Sequence, residues 1–94
     1  MITSWKHKGL KRFFESGDKS GIIAHHEKRL KIILQRLNAA IQATDMRTPG
    51  MGFHKLEGDL AGFYAVTVQA NWRVIFKFNG NGNDAELVNY IDYH

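Results

Sequence analysis

Asn71-Trp72-Arg73-Val74-Ile75-Phe76-Lys77-Phe78 and Glu86-Leu87-Val88-Asn89-Tyr90-Ile91-Asp92-Tyr93-His94 are two β-patterned runs on either side of the turn sequence Asn79-Gly80-Asn81-Gly82-Asn83. Strand side chains alternate with period two, so Trp72, Val74, Phe76 and Phe78 fall on one face and Arg73, Ile75 and Lys77 on the other. In the second run Tyr90, Asp92 and His94 share a face. A half-buried hairpin needs only the apolar row. An arginine in mid-strand, and Asp, Tyr and His together at the end, exceed what packing requires, and the surplus reads as a site.

Upstream of the hairpin the pattern is helical first and strand-like after. Ile2 to Trp5 reads as a short strand. Leu10, Phe13 and Phe14 have i, i+3, i+4 spacing, which predicts a short amphipathic helix stopped by Gly17. Leu30, Ile33, Leu34, Leu37, Ala40 and Ile41 form a longer stripe, predicting a helix from about Ala24 to Ile41. Its other side, with Lys28, Arg29, Lys31 and Arg36, reads as a solvated face, with RNA phosphates or an acidic partner as the functional alternative. Thr44 is placed to cap one further helical turn. Pro49-Gly50-Met51-Gly52 is the turn where the period switches. Phe53–Leu56 then reads as a short strand, Glu57–Gly62 as a loop and Phe63–Gln69 as a strand. Helices followed by closely connected strands predict an α+β domain over residues 1–94, with an antiparallel meander covered by helices on one face and open on the other, Arg73 lying on the open one.

Composition narrows the function. A chain of 94 residues with 44% hydrophobic content builds a single two-layer core. It has no cysteine, which excludes a thiolate nucleophile and fits a reducing compartment. No apolar run is long enough to span a bilayer and no signal-peptide core opens the chain, so a cytoplasmic protein without membrane contact is expected. The net charge of +4 suits nucleic acid or an acidic partner. Gly80-x-Gly82 is too short for a phosphate-binding loop. His26-Glu27 begins like a zinc-protease motif, but Leu30 stands where the second His is required. His25 and His26 point apart on a helix and are read as solvated, so no metal site is expected.

What remains is His54, Arg73, Asp92, Tyr93 and His94, with Lys55 nearby. Lys8, Lys11 and Lys77 are further candidate RNA-contacting cations. These types suit metal-free cleavage of an RNA phosphodiester. The 2′-hydroxyl must lose a proton, the leaving 5′-oxygen must gain one, and the phosphorane carries extra negative charge. Imidazoles serve the proton transfers near neutral pH, and a guanidinium offers permanently charged donors to phosphate oxygens. Tyr can stack on a base. His94 carries the chain's own α-carboxylate with Asp92 two residues back, and both negative charges favour imidazolium. Spacing alone leaves other readings open: a frayed tail at the terminus, an Arg73–Asp92 ion pair across the hairpin, and an exposed strand histidine at His54.

Ser4-Trp5-Lys6-His7-Lys8-Gly9-Leu10, His54-x-Leu56-x-Gly58-Asp59, Ala70-Asn71-Trp72-Arg73-Val74-x-Phe76 and Asn89-Tyr90-x-Asp92-Tyr93-His94 together resemble the HigB toxins of the RelE/ParE superfamily, essentially end to end. The resemblance implies two N-terminal helices on a curved antiparallel sheet. It implies a ribosome-dependent endonuclease that cleaves A-site mRNA and needs no cofactor. It also implies a HigA-type helix-turn-helix antitoxin through which the toxin reaches operator DNA. By motif, Arg73 would stabilise the transition-state phosphate, with His54, Asp92, Tyr93 and His94 completing the site, His54 base-side and His94 acid-side. The family commonly has His-Pro-Leu-Lys-Gly-Asp where this chain has His54-Lys55-Leu56-Glu57-Gly58-Asp59. Glu57 in the lysine position implies altered codon preference or a lower rate. The alternatives are a ParE-like gyrase poison, against which the Asp92-Tyr93-His94 ending argues, and a weak relic that only binds its antitoxin.

Overall fold

The first helix, α1 (Lys8–Ser16), forms where the sequence places it and buries Leu10 and Phe13. The His7 ring caps its start, Nδ1 accepting from the Leu10 N–H at 2.9 Å, and Gly17 ends it in the left-handed region at φ +80°. Its first turn packs closely on the following loop because two glycines meet: a Cβ on Gly9 would lie 2.8 Å from the Gly21 Cα. The coordinates are a computed structural model that describes residues 1–79 and 83–93. The centre of the Asn79–Asn83 turn and His94 lie outside the described residues.

The second helix, α2 (Glu27–Ala39), is shorter than its stripe implies, and Ala24–His26 is a 3-10 turn leading into it. Leu30, Ile33, Leu34 and Leu37 are fully buried. The helix stops because Ala40 turns extended, and the Asp45 carboxylate takes the N–H groups of Ile41 and Gln42. Ile41 is therefore exposed, not part of the stripe. Gln42, not Thr44, caps the 3-10 turn Ala43–Met46. On the polar side Lys28, Lys31 and Arg36 are exposed as expected. Arg29 is half-buried and donates to the carbonyls of Gly50 and Thr67.

The strands β1 (His54–Lys55), β2 (Tyr64–Gln69), β3 (Trp72–Phe78) and β4 (Ala85–Asp92) form one antiparallel sheet in sequence order, the expected meander. The segment Ile2–Trp5 touches the far edge of β4 through two parallel bridges, Ile2 with Ala85 and Trp5 with Val88. Between those bridges β4 bulges at Leu87, whose φ is +55°, and the Ser4 hydroxyl accepts the Leu87 N–H. Among the described residues no helix is long and apolar enough to cross a membrane.

The main core lies between helices and sheet and holds Val66, Val68, Val74, Phe76, Val88 and Tyr90 against the α2 stripe. The other sheet face is not open along its length, as the sequence reading has it. Leu56, Leu60 and Phe63 fold over Ala65, Ile75 and Ile91 in a second small cluster. The Glu57–Gly62 loop, with its 3-10 turn Gly58–Leu60, lies between the residues that make this cover.

Burial, with the nearby Arg12 charge adding to it, holds the His7 imidazole below its ordinary value of 6.5. The unfolded chain therefore takes up the proton first as pH falls, and protonation would also remove the acceptor that caps α1. Stability conferred by neutral His7 should be complete above about pH 6.5 and decline below it. Urea unfolding between pH 7.5 and pH 5 should show that decline, and His7→Asn, which keeps a capping acceptor without the titration, should flatten it.

Candidate active site

Cross-strand partners point to the same face of an antiparallel sheet. His54 pairs with Ala65 and Ala65 with Ile75, while Thr67 pairs with Arg73 and Arg73 with Ile91. His54, Thr67 and Arg73 therefore share the face away from the helices. Two strand spacings and two residues separate the Cα atoms of His54 and Arg73, roughly 12 Å. Tyr93 donates its N–H to the Asn71 carbonyl at 2.6 Å, and alternation from Ile91 carries its exposed ring toward Arg73's face.

His54 and Arg73 are held differently on this face. His54 is exposed, and its Nδ1 lies 3.0 Å from the Gly52 carbonyl oxygen. A carbonyl only accepts, so Nδ1 carries the proton, and in the neutral ring the lone pair is on Nε2. That is the form a general base needs. Arg73 is half-buried, and its Nη1 donates to the carbonyls of Ala70 and Trp72. Ala70 sits in the left-handed region at φ +51° in the β2–β3 turn, so the guanidinium ties down a strained corner. Arg73 Nε is buried without a partner among the described residues, a donor with its hydrogen-bonding capacity unused.

Asp92 is on the other side. It pairs with Trp72, so alternation sends it to the helix face while Arg73 points away. This register does not favour the cross-hairpin ion pair considered from sequence. Lys55 pairs with Tyr64 and also leaves from the face opposite His54. Lys77 is half-buried with its ammonium 5.4 Å from the Phe63 ring centroid, at the covered end of Arg73's face. Lys8 and Lys11 are exposed on α1, in the helix layer, and are not brought to His54 and Arg73. Glu57 is exposed just before the Gly58–Leu60 turn and makes no ion pair among the described residues.

At the helix-side end of the sheet lies a polar cluster absent from the sequence reading. His26, expected to be solvated, is 3% exposed. Its Nε2 faces the Gln69 Oε1 at 3.0 Å and its Nδ1 the Tyr90 hydroxyl at 2.5 Å. With Nε2 donating to Gln69, Nδ1 accepts from the Tyr90 hydroxyl, which in turn accepts from the Ile23 N–H at 3.4 Å. Burial raises the Tyr90 phenol above its ordinary value, so it stays neutral in this network. The Trp72 ring lies 4.7 Å from that of Tyr90 and 5.8 Å from that of His26. The signal was in the sequence: His26 stands four residues before Leu30, on the α2 stripe itself. Gln69 reaches the same face because a register shift after Thr67 sets it opposite Trp72. Among the described residues no three metal-ligating side chains converge.

The chain's relatives are consistent over its full length. A family described as the RelE-like toxin HigB of type II toxin–antitoxin systems matches residues 3–94. The Proteus vulgaris protein named endoribonuclease HigB is 43% identical over 95 residues, covering all of both chains. Toxin HigB-1 of Vibrio cholerae serotype O1 is 32% identical over 96 residues, covering all of this chain and 98% of that one. Among solved structures, a YoeB/ParE toxin from Agrobacterium tumefaciens superposes over the whole of both chains with a TM-score of 0.62 at 16% identity. A chain of a YoeB–YefM complex from Staphylococcus aureus, 95% covered, gives 0.56 at 16% identity. At that identity the likeness is one of fold.

Tyr90→Phe removes one oxygen and leaves both His26 Nδ1 and the Ile23 N–H without their partner. The His26 nitrogen is buried, so its loss of a partner should make the variant less stable by about 1–3 kcal/mol. Urea unfolding measures this; an unchanged midpoint would show that the network carries no net stability.

Proposed function

This chain belongs to the RelE-like HigB family of type II toxin–antitoxin toxins, and from that premise we propose that it is an endoribonuclease cutting mRNA in the ribosomal A site. The observation that carries the reading is the His54 ring, with its proton on Nδ1 and its lone pair on Nε2, on the sheet face that Arg73 also occupies. The resemblance of the relative named endoribonuclease HigB over the full chain supports the same chemistry.

In this mechanism His54 Nε2 takes the 2′-hydroxyl proton. The 2′-oxygen attacks the adjacent phosphorus, and the bond from phosphorus to the 5′-oxygen breaks. The 5′-oxygen leaves with a proton supplied from the acid side, assigned to His94. The products are a 2′,3′-cyclic phosphate and a free 5′-hydroxyl. Arg73 stabilises the phosphorane; to do so its guanidinium leaves the Ala70 and Trp72 carbonyls, or uses the donors they do not occupy. The exposed Tyr93 ring is suited to stack on a base at the cut. Lys55, Lys77, Lys8 and Lys11 act at longer range on RNA phosphates. The neutralising partner is a HigA-type helix-turn-helix antitoxin that brings the complex to operator DNA, and the toxin works in the cytoplasm, where the ribosomes are.

The test is cleavage by purified protein of free mRNA and of mRNA threaded through a programmed ribosome. Cutting is expected on the ribosome only, with Arg73→Ala and His54→Ala each slowing it on the order of 100-fold or more, and His94→Ala likewise. No cutting on either substrate, with arrest of DNA replication in cells instead, would replace this reading with gyrase poisoning. Glu57→Lys restores the family's charge in the loop after β1 and should raise the rate or change the codon pattern; identical rate and pattern would show that Glu57 has no part in either.

A further inference from the structure

Arg29 is the one cation of the α2 polar side that turns inward to the sheet. Its guanidinium reaches the end of β2 and makes two attachments. Nη2 donates to the Gly50 carbonyl and, at 3.1 Å, to the Thr67 carbonyl, and Nε donates to the same Thr67 oxygen at 3.3 Å. Thr67 in turn holds the turn that leads into β1. Its N–H donates to the Met51 carbonyl at 2.7 Å. Gly52, at φ +61°, lies flush on its side chain: a Cβ there would sit 2.5 Å from Thr67 Oγ1. The next carbonyl along, that of Gly52, accepts from His54 Nδ1. Gly50, Met51 and Gly52 are thus fixed to one β2 residue, and that residue is the cross-strand partner of Arg73.

We infer that Arg29 is a positioning residue for His54, fixing from the helix side the Gly50–Gly52 turn whose last carbonyl holds the imidazole with its proton on Nδ1. The guanidinium thus joins the turn that leads into His54 to the β2 residue paired with Arg73. A permanently charged, planar fork suits this work, because it offers several fixed donors to two carbonyls at once. A lysine would bring the charge but only a point donor. The inference rests on the reading of His54 as the base, and the experiment separates the two.

The ring tautomer of His54 is read in the folded protein from long-range 15N–1H couplings, for the parent chain, Arg29→Gln and Arg29→Lys, with His54→Gln in parallel cleavage assays. The parent should show the Nδ1–H form. Arg29→Gln should shift the ring toward the Nε2–H form and slow single-turnover cleavage on the ribosome on the order of 10- to 100-fold, with ribosome affinity unchanged, as expected when a reacting group is misplaced. Arg29→Lys should fall between. If Arg29→Gln does not fold, Gly52→Ala disturbs the same turn from the Thr67 side and should shift the tautomer likewise. A folded Arg29→Gln with the parent's tautomer overturns the positioning role whatever its rate. A shifted tautomer with His54→Gln still cutting at full rate keeps the positioning and removes His54 as the base.

Discussion

Burial of one strand row decides where this protein's chemistry can be. Val74 and Phe76 of β3 pack against Leu30, Ile33, Leu34 and Leu37 of α2, all but inaccessible to solvent. With the period of a strand fixed at two, that packing sends Arg73 and Ile75 to the far face. A slip of one residue would bury Arg73 in the helix layer and expose Phe76, so the register is enforced by the whole apolar row and not by any contact Arg73 makes. The cross-strand partners inherit the same division. Thr67 follows Arg73 to the far face, and Asp92 follows Trp72 to the helix side.

The two faces are finished in different ways. The helix side closes around a hydrogen-bonded His26–Tyr90–Gln69 network with the Trp72 ring against it. Both ring nitrogens of buried His26 and the Tyr90 hydroxyl have partners there, which is the condition for burying them at modest cost. The far side is closed only in part, by Leu56, Leu60 and Phe63. Beyond that cover, His54 is exposed and Arg73 half-exposed. A face that was apolar throughout would have no place for an anionic substrate, and one uncovered throughout would leave Ala65 and Ile75 in water. The partial cover resolves that conflict and confines the polar, accessible part to the end where β2 and β3 turn.

Backbone strain is concentrated at the edges of this arrangement. Ala70 and Leu87 are the non-glycine residues with positive φ among those described. Each has its turn held by a side chain: Arg73 donates to the Ala70 carbonyl, and Ser4 accepts the Leu87 N–H. The first ties a candidate catalytic group to the geometry of its own hairpin. The second uses the N-terminal segment, paired along β4, to shape the strand that ends at Asp92.

Periodicity by itself determined the two helices, the four-strand antiparallel order and the sides on which Arg73 and the Trp72–Phe78 row lie, because these follow from local pattern and from the exclusion of water. The candidate site residues were legible by type, and His54 and Arg73 were legible as strand residues. Their sharing of a face was not, since that depends on strand pairing between segments far apart in sequence. Tertiary structure also decided what His26, just before α2, and Arg29, on its polar side, do. Both are read from the sequence as solvated, yet one is buried against Tyr90 and the other holds the turn before His54. The physical reason is the same in both cases: helical spacing tells which way a side chain leaves its own helix, but the hydrogen-bonding partner waiting there is supplied by a different part of the chain.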